Sequence, residues 1–570
     1  MLDKKKIPVV FRKDLPSDLE KIKYGHYIRD DWDYPIHLYL KENDIRVDEN
    51  GSEIVKFLKG KCVLITGATG FLGKSLIEKL LRSCKDIDTI YIVVRAKKGK
   101  NIEERVNELL DNWVFCRLAD IVPDFRKKVV GINGNFEESD LGLCEKSRNL
   151  IADKVNIIFH VAATVRFDEK IKTAVAVNIK GTREMVKIAK SCKKLDVFTY
   201  VSSAFSNCHE MEIEEKFYEP LMDPDTLIEL TDRFSDDVLD KITPGLLGST
   251  PNTYTFTKQI AESIIKREAI GLPVCMQRPS IVIASVREPI RSWVDNIYGP
   301  VGLIQGTAIG LLHVMLGDPE KAADLVPVDY VINNCIAASY KTAKEKSTSE
   351  IQIFNFTRSK TNELKWKNLI LCSDQGCKVG STHILWKHFF IFTKNVFFYS
   401  LLFFLFHNVP GYIADFFAVK MGKKPLLGKA YEKIAKFSSV LAYFTLREWT
   451  FDYSNTVSLW ESLNETDKKN FAFDMSSINW VDYFDTYLVA MREFLIMDPL
   501  DSLKEGRIFM RRATIFHYVF VSIVTGLSIY FCLKSIFCFI PLGIIFCIIY
   551  YNYSLYTSST LYIKNKLSKK

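Results

Sequence analysis

Tyr254 and Lys258 stand four residues apart in NTYTFTKQIAESIIKREA, a stretch with helical patterning, so a helix would put both side chains on one face. A phenol ordinarily ionises near pH ~10, and an ammonium beside it favours the phenolate. Such a pair suits delivery of a proton to a carbonyl oxygen that has just received hydride, with Tyr254 as donor and Lys258 as its activator. A hydroxyl at the end of a strand would hold that oxygen. The segment TYVSSAFSN offers two. Alternation along a strand turns one of them inward, and Ser203 is taken for the role with Ser202 as its rival. Cys208 follows closely, but no neighbouring base marks it as a nucleophile, and a packed thiol is the reading adopted.

Hydride chemistry needs a carrier, and the run VLITGATGFLGK supplies a place for one. Gly67 permits a tight turn after a strand, Gly70 lets backbone approach a pyrophosphate, and Gly73 lets the next helix pack close to the strand. The helix N-terminus then faces the phosphates with free N–H groups. Strand, TGxxGxxG spacing and helix in this order make a dinucleotide site, contacted by Thr66, Gly67, Thr69, Gly70, Phe71, Leu72 and Gly73, with Lys258 also reaching the nicotinamide ribose. The next strand, TIYIVV, ends in RAKKGK rather than in a carboxylate. A cationic cluster there suits a ribose 2′-phosphate, so NADPH is the expected cofactor, with the planar guanidinium of Arg95 as its phosphate contact.

These residues require a scaffold of alternating elements. From Gly60 onward, buried-strand runs appear at CVLIT, TIYIVV, VNIIFHVA, VFTYVSS and PVCMQRPSIVIA, most of them separated by amphipathic helix-length segments. That alternation predicts an α/β fold with a parallel, doubly wound sheet of Rossmann type. At 570 residues the chain exceeds one typical domain. The organisation expected is an N-terminal extension at 1–58 with no assigned role, a reductase unit at 59–360, a mostly helical unit at 361–505, and a membrane segment at 513–563. The net charge of +9 is modest and is not gathered into basic runs with exposed aromatics, which argues against a nucleic-acid partner. The 13 cysteines form no CxxC pair or Cys/His cluster of metal-ligand spacing. No metal is expected, and a reduced compartment is.

Residues 396–406, VFFYSLLFFLF, are apolar but short for a bilayer, which needs ~20 residues. A buried helix of the second unit is expected, or else an interfacial helix lining an acyl tunnel. Between residues 513 and 563 the one charged residue is Lys534. Residues 513–533 are long enough for a membrane helix, and residues 536–551 form a shorter apolar run containing Pro541. Arg507, Arg511 and Arg512 precede this tail, and Lys564, Lys566, Lys569 and Lys570 follow it. Basic residues at both ends fit a hairpin with both flanks cytosolic; one span followed by a surface-lying segment is the other arrangement.

Taken together, KGKCVLITGATGFLGKSLIEKLL, VRAKKG, HVAATVRFDE, NIKGT and EPIRSWVDNIYGPVGLIQG resemble the fatty acyl-CoA reductase family of extended short-chain dehydrogenase/reductases. KFSSVLAYFTLREWTFDYSNTVSLWESL and FAFDMSSINWVDYF resemble that family's C-terminal male-sterility domain, which sugar-nucleotide epimerases lack. The likeness covers roughly residues 52–500, with one departure at Asn135, where the family usually has Asp. It implies that Val161, Ala162 and Ala163 lie along the cofactor and that Asn178 fills the family's asparagine position beside the site. It also implies NADPH-dependent reduction of a long-chain acyl-CoA, through the aldehyde, to a primary alcohol. The implied setting is an intracellular membrane, of the peroxisome or the endoplasmic reticulum, with the catalytic part facing the cytosol and membrane lipid as a further partner. The alternatives are a membrane-bound sterol or aldehyde dehydrogenase of the same superfamily, or a silent NADPH-binding scaffold.

Overall fold

The computed structural model describes residues 45–96, 99–346, 350–372 and 379–534. Its centre is the doubly wound parallel sheet expected from the strand runs. β1 (Cys62–Thr66), β2 (Thr89–Val94), β3 (Val129–Asn133), β4 (Ile157–His160) and β5 (Val197–Val201) are joined by Val274–Pro279 and Gln352–Phe356. The order across the sheet is Gln352–Phe356, Val274–Pro279, β5, β4, β1, β2, β3, with every pairing parallel. The order reverses between β1 and β4, so a crevice opens outside their C-terminal ends, where such folds bind ligands.

Two of the seven strands were not among the expected runs. β3 lies at the sheet edge with Val130 and Asn133 exposed and Gly131 in its middle, so it lacks a continuous apolar stretch. Gln352–Phe356 carries Asn355 in its buried part. That amide is accommodated because its Nδ2 donates to the Asp452 and Ile213 carbonyls at 2.7 and 3.3 Å.

The helix after β1, Phe71–Ser83, sits so close to the strand that side chains are excluded. A Cβ on Gly73 would lie 2.3 Å from the Gly67 carbonyl oxygen, and one on Gly67, whose φ is +72°, would lie 2.7 Å from the Ala162 nitrogen. The back of the same helix buries charges. Arg82 donates to Glu78 at 2.7 and 3.2 Å and to Glu288 at 3.0 Å, while Lys79 donates to Glu288 at 2.7 Å. Burial alone would raise Glu288, but Lys79 and Arg82 outweigh it and hold the carboxyl well below the usual range; burial pulls Lys79 down to about 8. Arg82 also donates to the Ile45 carbonyl and Lys79 to the Asn470 carbonyl, at 2.7 and 2.6 Å.

Residues 45–58, expected only as part of an extension, are therefore structural. Ser52 caps the helix Glu53–Leu58 and donates to Asp467 at 2.5 Å. Residues 361–505 are mostly helical, with Leu427–Thr445, Ser454–Ser462 and Trp480–Phe494 among their helices. Their buried side chains, such as Leu459, Phe471 and Phe484, join Ile54, Leu80 and Phe354 in one core.

The expectation of a buried helix at residues 396–406 is corrected. That stretch begins a helix running from Val396 to Lys420, with Phe397 71% and Phe417 58% exposed. Asn395 caps its start by accepting from the Phe397 and Phe398 N–H groups. One π-helical turn, Phe404–Asn408, precedes Pro410. The looser turn absorbs the hydrogen bond that a proline removes, so the pattern continues where a proline reads as a stop. The tail forms a helix at Leu503–Lys534, its apolar side chains exposed at Ile515, Phe516, Val519 and Ile523. Val396–Lys420 and Leu500–Leu527 are long and apolar enough to cross a membrane by length and composition. The second apolar run of the tail lies outside the described residues, and the choice of hairpin or single span lies there with it.

The buried charges give a direct test. Arg82→Met leaves Glu78 and Glu288 with Lys79 as their remaining buried cation, and breaking such a pair costs on the order of 3–5 kcal/mol. The variant should melt several degrees below the parent in a differential scanning fluorimetry trace; an unchanged midpoint would show that the cluster contributes nothing.

Candidate active site

A cavity of about 600 Å³ opens at the crevice between β1 and β4. Of the residues expected at the site, Gly67, Thr69, Gly70, Phe71, Leu72, Gly73, Ala162, Ser203, Tyr254 and Lys258 line it, as do Val161 and Ala163. Thr66, Arg95 and Asn178 do not. Thr66 lies beneath the turn, where its hydroxyl accepts from the Val161 and Ala162 N–H groups, each at 3.2 Å, and pairs with His160 Nδ1 at 2.8 Å. Burial and the Lys258 charge push His160 down to about 3, so its ring is neutral and fixes the β4 end against the glycine turn. Asn178 sits on a π-helical turn, Val175–Lys180. Its Oδ1 accepts from the Thr164 N–H at 2.9 Å and its Nδ2 donates to Thr257 Oγ1 at 2.9 Å. It braces the helix that carries Tyr254 and Lys258 without lining the cavity.

That helix runs from Thr253 to Glu268, capped by the Asn252 side chain, which accepts from the Thr255 N–H. Its first turns point Tyr254 and Lys258 into the cavity. The two strand-end serines part company. The Ser203 hydroxyl acts on the Tyr254 phenol and favours its ionised form, whereas Ser202 donates to Glu262 at 2.5 Å. Burial raises the Tyr254 phenol to about 12, and the Ser203 hydroxyl offsets part of this. Burial likewise lowers Lys258 to about 7, against the pull of Glu262. The expected depression of the phenol by the lysine is therefore not what this arrangement produces. Lys258 Nζ instead donates to the Val201 carbonyl at 2.7 Å and lies 4.8 Å from the centre of the Tyr200 ring.

Sequence reasoning missed Glu262, although its signal was present: it follows Lys258 by four residues and so shares a helix face. Its buried carboxylate accepts from Ser202, from Ser206 at 2.8 Å and from Arg278, which reaches it at 3.0 and 2.6 Å. This fixes the end of β5 and hence Ser203. Cys208 is a packed thiol: burial raises it to about 11.

The far half of the cavity is apolar, walled by Phe167, Phe205, Leu303, Met315, Leu441 and Phe444. Leu441 and Phe444 come from Leu427–Thr445, so the C-terminal unit completes the site. Phe444 meets Phe205 edge to face at 5.3 Å and Phe167 at 5.9 Å, and Phe167 lies 6.1 Å from Tyr254. No local signal could have placed Phe444 beside Tyr254 across so much chain. At the cavity wall Lys74 and Asp295 form an ion pair.

The residues present fit a dinucleotide. The Phe71–Ser83 helix starts at Gly70 with no side-chain cap, leaving its first N–H groups for an anion, and Cβ-free backbone at Gly67 and Gly70 borders the cavity. Arg95 follows β2 with its side chain 59% exposed and paired with Glu137 at 2.9 Å. Lys97 and Lys98 of its cluster lie outside the described residues.

Two family models match the chain, both described as male sterility protein, at residues 65–335 and 406–498. Fatty acyl-CoA reductase wat of Drosophila melanogaster is 36% identical over 478 residues, 84% of this chain and 92% of that protein. Fatty acyl-CoA reductase 1 of Rattus norvegicus is 36% identical over 472 residues, 83% and 92% of the two chains. Among solved structures, the reductase domain of a nonribosomal peptide synthetase from Mycobacterium tuberculosis aligns with a TM-score of 0.51 at 16% identity, covering 83% of this chain and 98% of that one. The terminal R domain of the myxalamid pathway aligns at 0.50 and 18% identity, over 82% and 100%. These two likenesses speak to the fold alone.

The Lys258 environment sets a stability signature. Its folded value of about 7 lies below the ordinary 10.5. Burying this lysine therefore costs stability in full below about 7, and the cost fades as pH rises towards the unfolded value. The melting temperature of Lys258→Met minus that of the parent should climb as pH falls from ~10 to ~7 and level off below. A difference that stays flat across this range would contradict the assignment.

Proposed function

The chain belongs to the fatty acyl-CoA reductase family, and on that premise we propose that it reduces a long-chain acyl-CoA, through the aldehyde, to a primary alcohol with NADPH as reductant. The observation that carries the reading is one cavity in which Ser203, Tyr254 and Lys258 stand between an anion-binding glycine turn and an apolar chamber.

A thioester carbonyl placed against Ser203 and Tyr254 would have its oxygen held by two hydroxyls, with its acyl chain towards Phe205, Leu303 and Phe444. Bound reduced nicotinamide supplies hydride to the carbonyl carbon, once for each of two reductions. As negative charge reaches the oxygen, Tyr254 donates its proton there; a phenol held high by burial is fully protonated and ready to give. Ser203 keeps its hydrogen bond to the same oxygen. The resulting hemithioacetal expels CoA as the thiol when its C–S bond breaks, and the aldehyde takes the second hydride and a second proton from Tyr254. Lys258, inside hydrogen-bond reach of β5, would turn to the nicotinamide ribose and, as the ammonium, pass a proton to the tyrosinate before the second reduction. Phe167, Phe205 and Phe444 exclude water, which strengthens each of these polar contacts.

The NADPH choice rests on Arg95 at the end of β2. Its guanidinium now holds the Glu137 carboxylate, and a ribose 2′-phosphate would take the place of that carboxylate with two parallel hydrogen bonds. Arg507, Arg511 and Arg512 ahead of the tail support a cytosol-facing catalytic unit on an intracellular membrane, that of the peroxisome or the endoplasmic reticulum.

Tyr254→Phe removes the transferable proton and keeps the ring against Phe167. Alcohol formation from a long-chain acyl-CoA, followed by gas chromatography, should fall roughly 10²-fold or more while NADPH binding by fluorescence changes little. Near-normal alcohol output from the folded variant would rule out Tyr254 as donor. Arg95→Asp should weaken NADPH by on the order of 2–4 kcal/mol and NADH far less. Equal use of both cofactors by the unaltered protein would end the NADPH assignment.

A further inference from the structure

We propose that the helical hairpin formed by Val396–Lys420 and Leu427–Thr445 lies in the interface of an anionic lipid bilayer, its aromatic face in the headgroup–acyl boundary and its lysine tip on the headgroups. This surface is separate from the tail helix and does not depend on the acyl-CoA assignment.

The outer face of the first helix is aromatic and open. Phe397, Tyr412, Phe416 and Phe417 are 71, 66, 58 and 58% exposed. A soluble monomer does not ordinarily leave such a contiguous patch to water. The one acid in the helix, Asp415, is withdrawn from that face: it accepts from the N–H groups of Leu426, Leu427 and Gly428 at 2.9, 3.0 and 2.8 Å and so closes the hairpin turn. The tip carries the opposite charge. Lys420, Lys423, Lys424 and Lys429 are exposed and make no ion pair among the described residues. Lys420 lies over the Phe416 ring at 5.6 Å, its stem along the apolar face and its ammonium beyond it. An apolar face rimmed by lysines matches an anionic headgroup layer.

The hairpin is seated in the interface rather than through the bilayer because its inner side is tied to the protein. The Tyr443 hydroxyl donates to the Cys208 carbonyl at 3.0 Å and the Thr445 hydroxyl to the Leu316 carbonyl at 2.8 Å, while Gly411 seats the two hairpin helices on each other against the Tyr431 ring. His407 Nε2 accepts from the His313 N–H at 3.0 Å. The partner helix carries Lys429, Glu432, Lys433 and Lys436, which hydrocarbon would not admit. The hairpin also adjoins the tail. Trp386 Nε1 donates to His517 Nδ1 at 3.0 Å, and Phe389 packs on Phe406 and His517. The root of the hairpin and the start of the tail helix thus share one aromatic junction, and a membrane reached by one lies beside the other.

The test uses the full chain reconstituted into phosphatidylcholine vesicles with and without about a third phosphatidylserine. The photoreactive p-benzoylphenylalanine replaces Phe416, Tyr412 on the same stripe, or, as control, the exposed Val457 on the helix Ser454–Ser462. Flotation reports the tail in every case, and dinucleotide fluorescence reports folding; a Phe416 protein that fails to fold is replaced by the Tyr412 one. Irradiation should transfer radiolabelled lipid to the hairpin positions about tenfold more than to the control. Combined Lys420→Gln, Lys423→Gln and Lys424→Gln should reduce that transfer in the phosphatidylserine vesicles alone. Lipid labelling no greater than at Val457 would overturn the proposal. So would crosslinks that run to peptide, whether from a second copy or from the chain's own tail.

Discussion

Four charges buried behind the glycine turn hold the molecule to one arrangement. Glu78, Lys79 and Arg82 stand on the helix that starts at the dinucleotide turn, and Glu288 reaches them from the loop beyond the active-site strands. Each cation spends its remaining donors on a carbonyl from elsewhere, Ile45 on one side and Asn470 on the other. Four remote parts of the chain are thereby required to meet, because any one of them moving away would strand an unpaired charge or donor in a dry interior. The helix that the cofactor phosphates would face is consequently fixed in position before any ligand arrives.

A second buried carboxylate does the same for the chemistry. Glu262 collects Ser202, Ser206 and Arg278, and so engages the hydroxyl of one strand-end serine while leaving that of Ser203 to the tyrosine. Burial keeps the tyrosine protonated and brings the lysine down to about 7. Polarity is confined to one end of the cavity, and the other end is closed by aromatic rings from both units.

What could be read in the sequence was what is local. The glycine turn, the Tyr254–Lys258 spacing and the strand runs depend on neighbours within a few residues, and the parallel sheet appears as expected. What could not be read was long-range. β3 and Gln352–Phe356 are strands because of where they pair, and the burial of Asn355 is legible only once Asp452 is beside it. The exposed helix at Val396–Lys420 has the composition of a core helix. Nothing within it announces that its apolar side faces outward, and its passage through Pro410 depends on a π-helical turn that hydrophobic periodicity does not reveal. Ser203 could be separated from Ser202 only after Glu262 had claimed the latter.

The helix Leu427–Thr445 has one end at the lysine-rich tip and the other in the cavity wall. Nineteen residues of α-helix form a stiff rod about 28 Å long. Its inner end is fixed by the Tyr443 hydroxyl, which donates to the Cys208 carbonyl at 3.0 Å, and by the Thr445 hydroxyl, which donates to the Leu316 carbonyl at 2.8 Å. One rod thus bears surface lysines at one end and Leu441 and Phe444 of the chamber wall at the other, so the bore of the chamber is set by where that rod is seated.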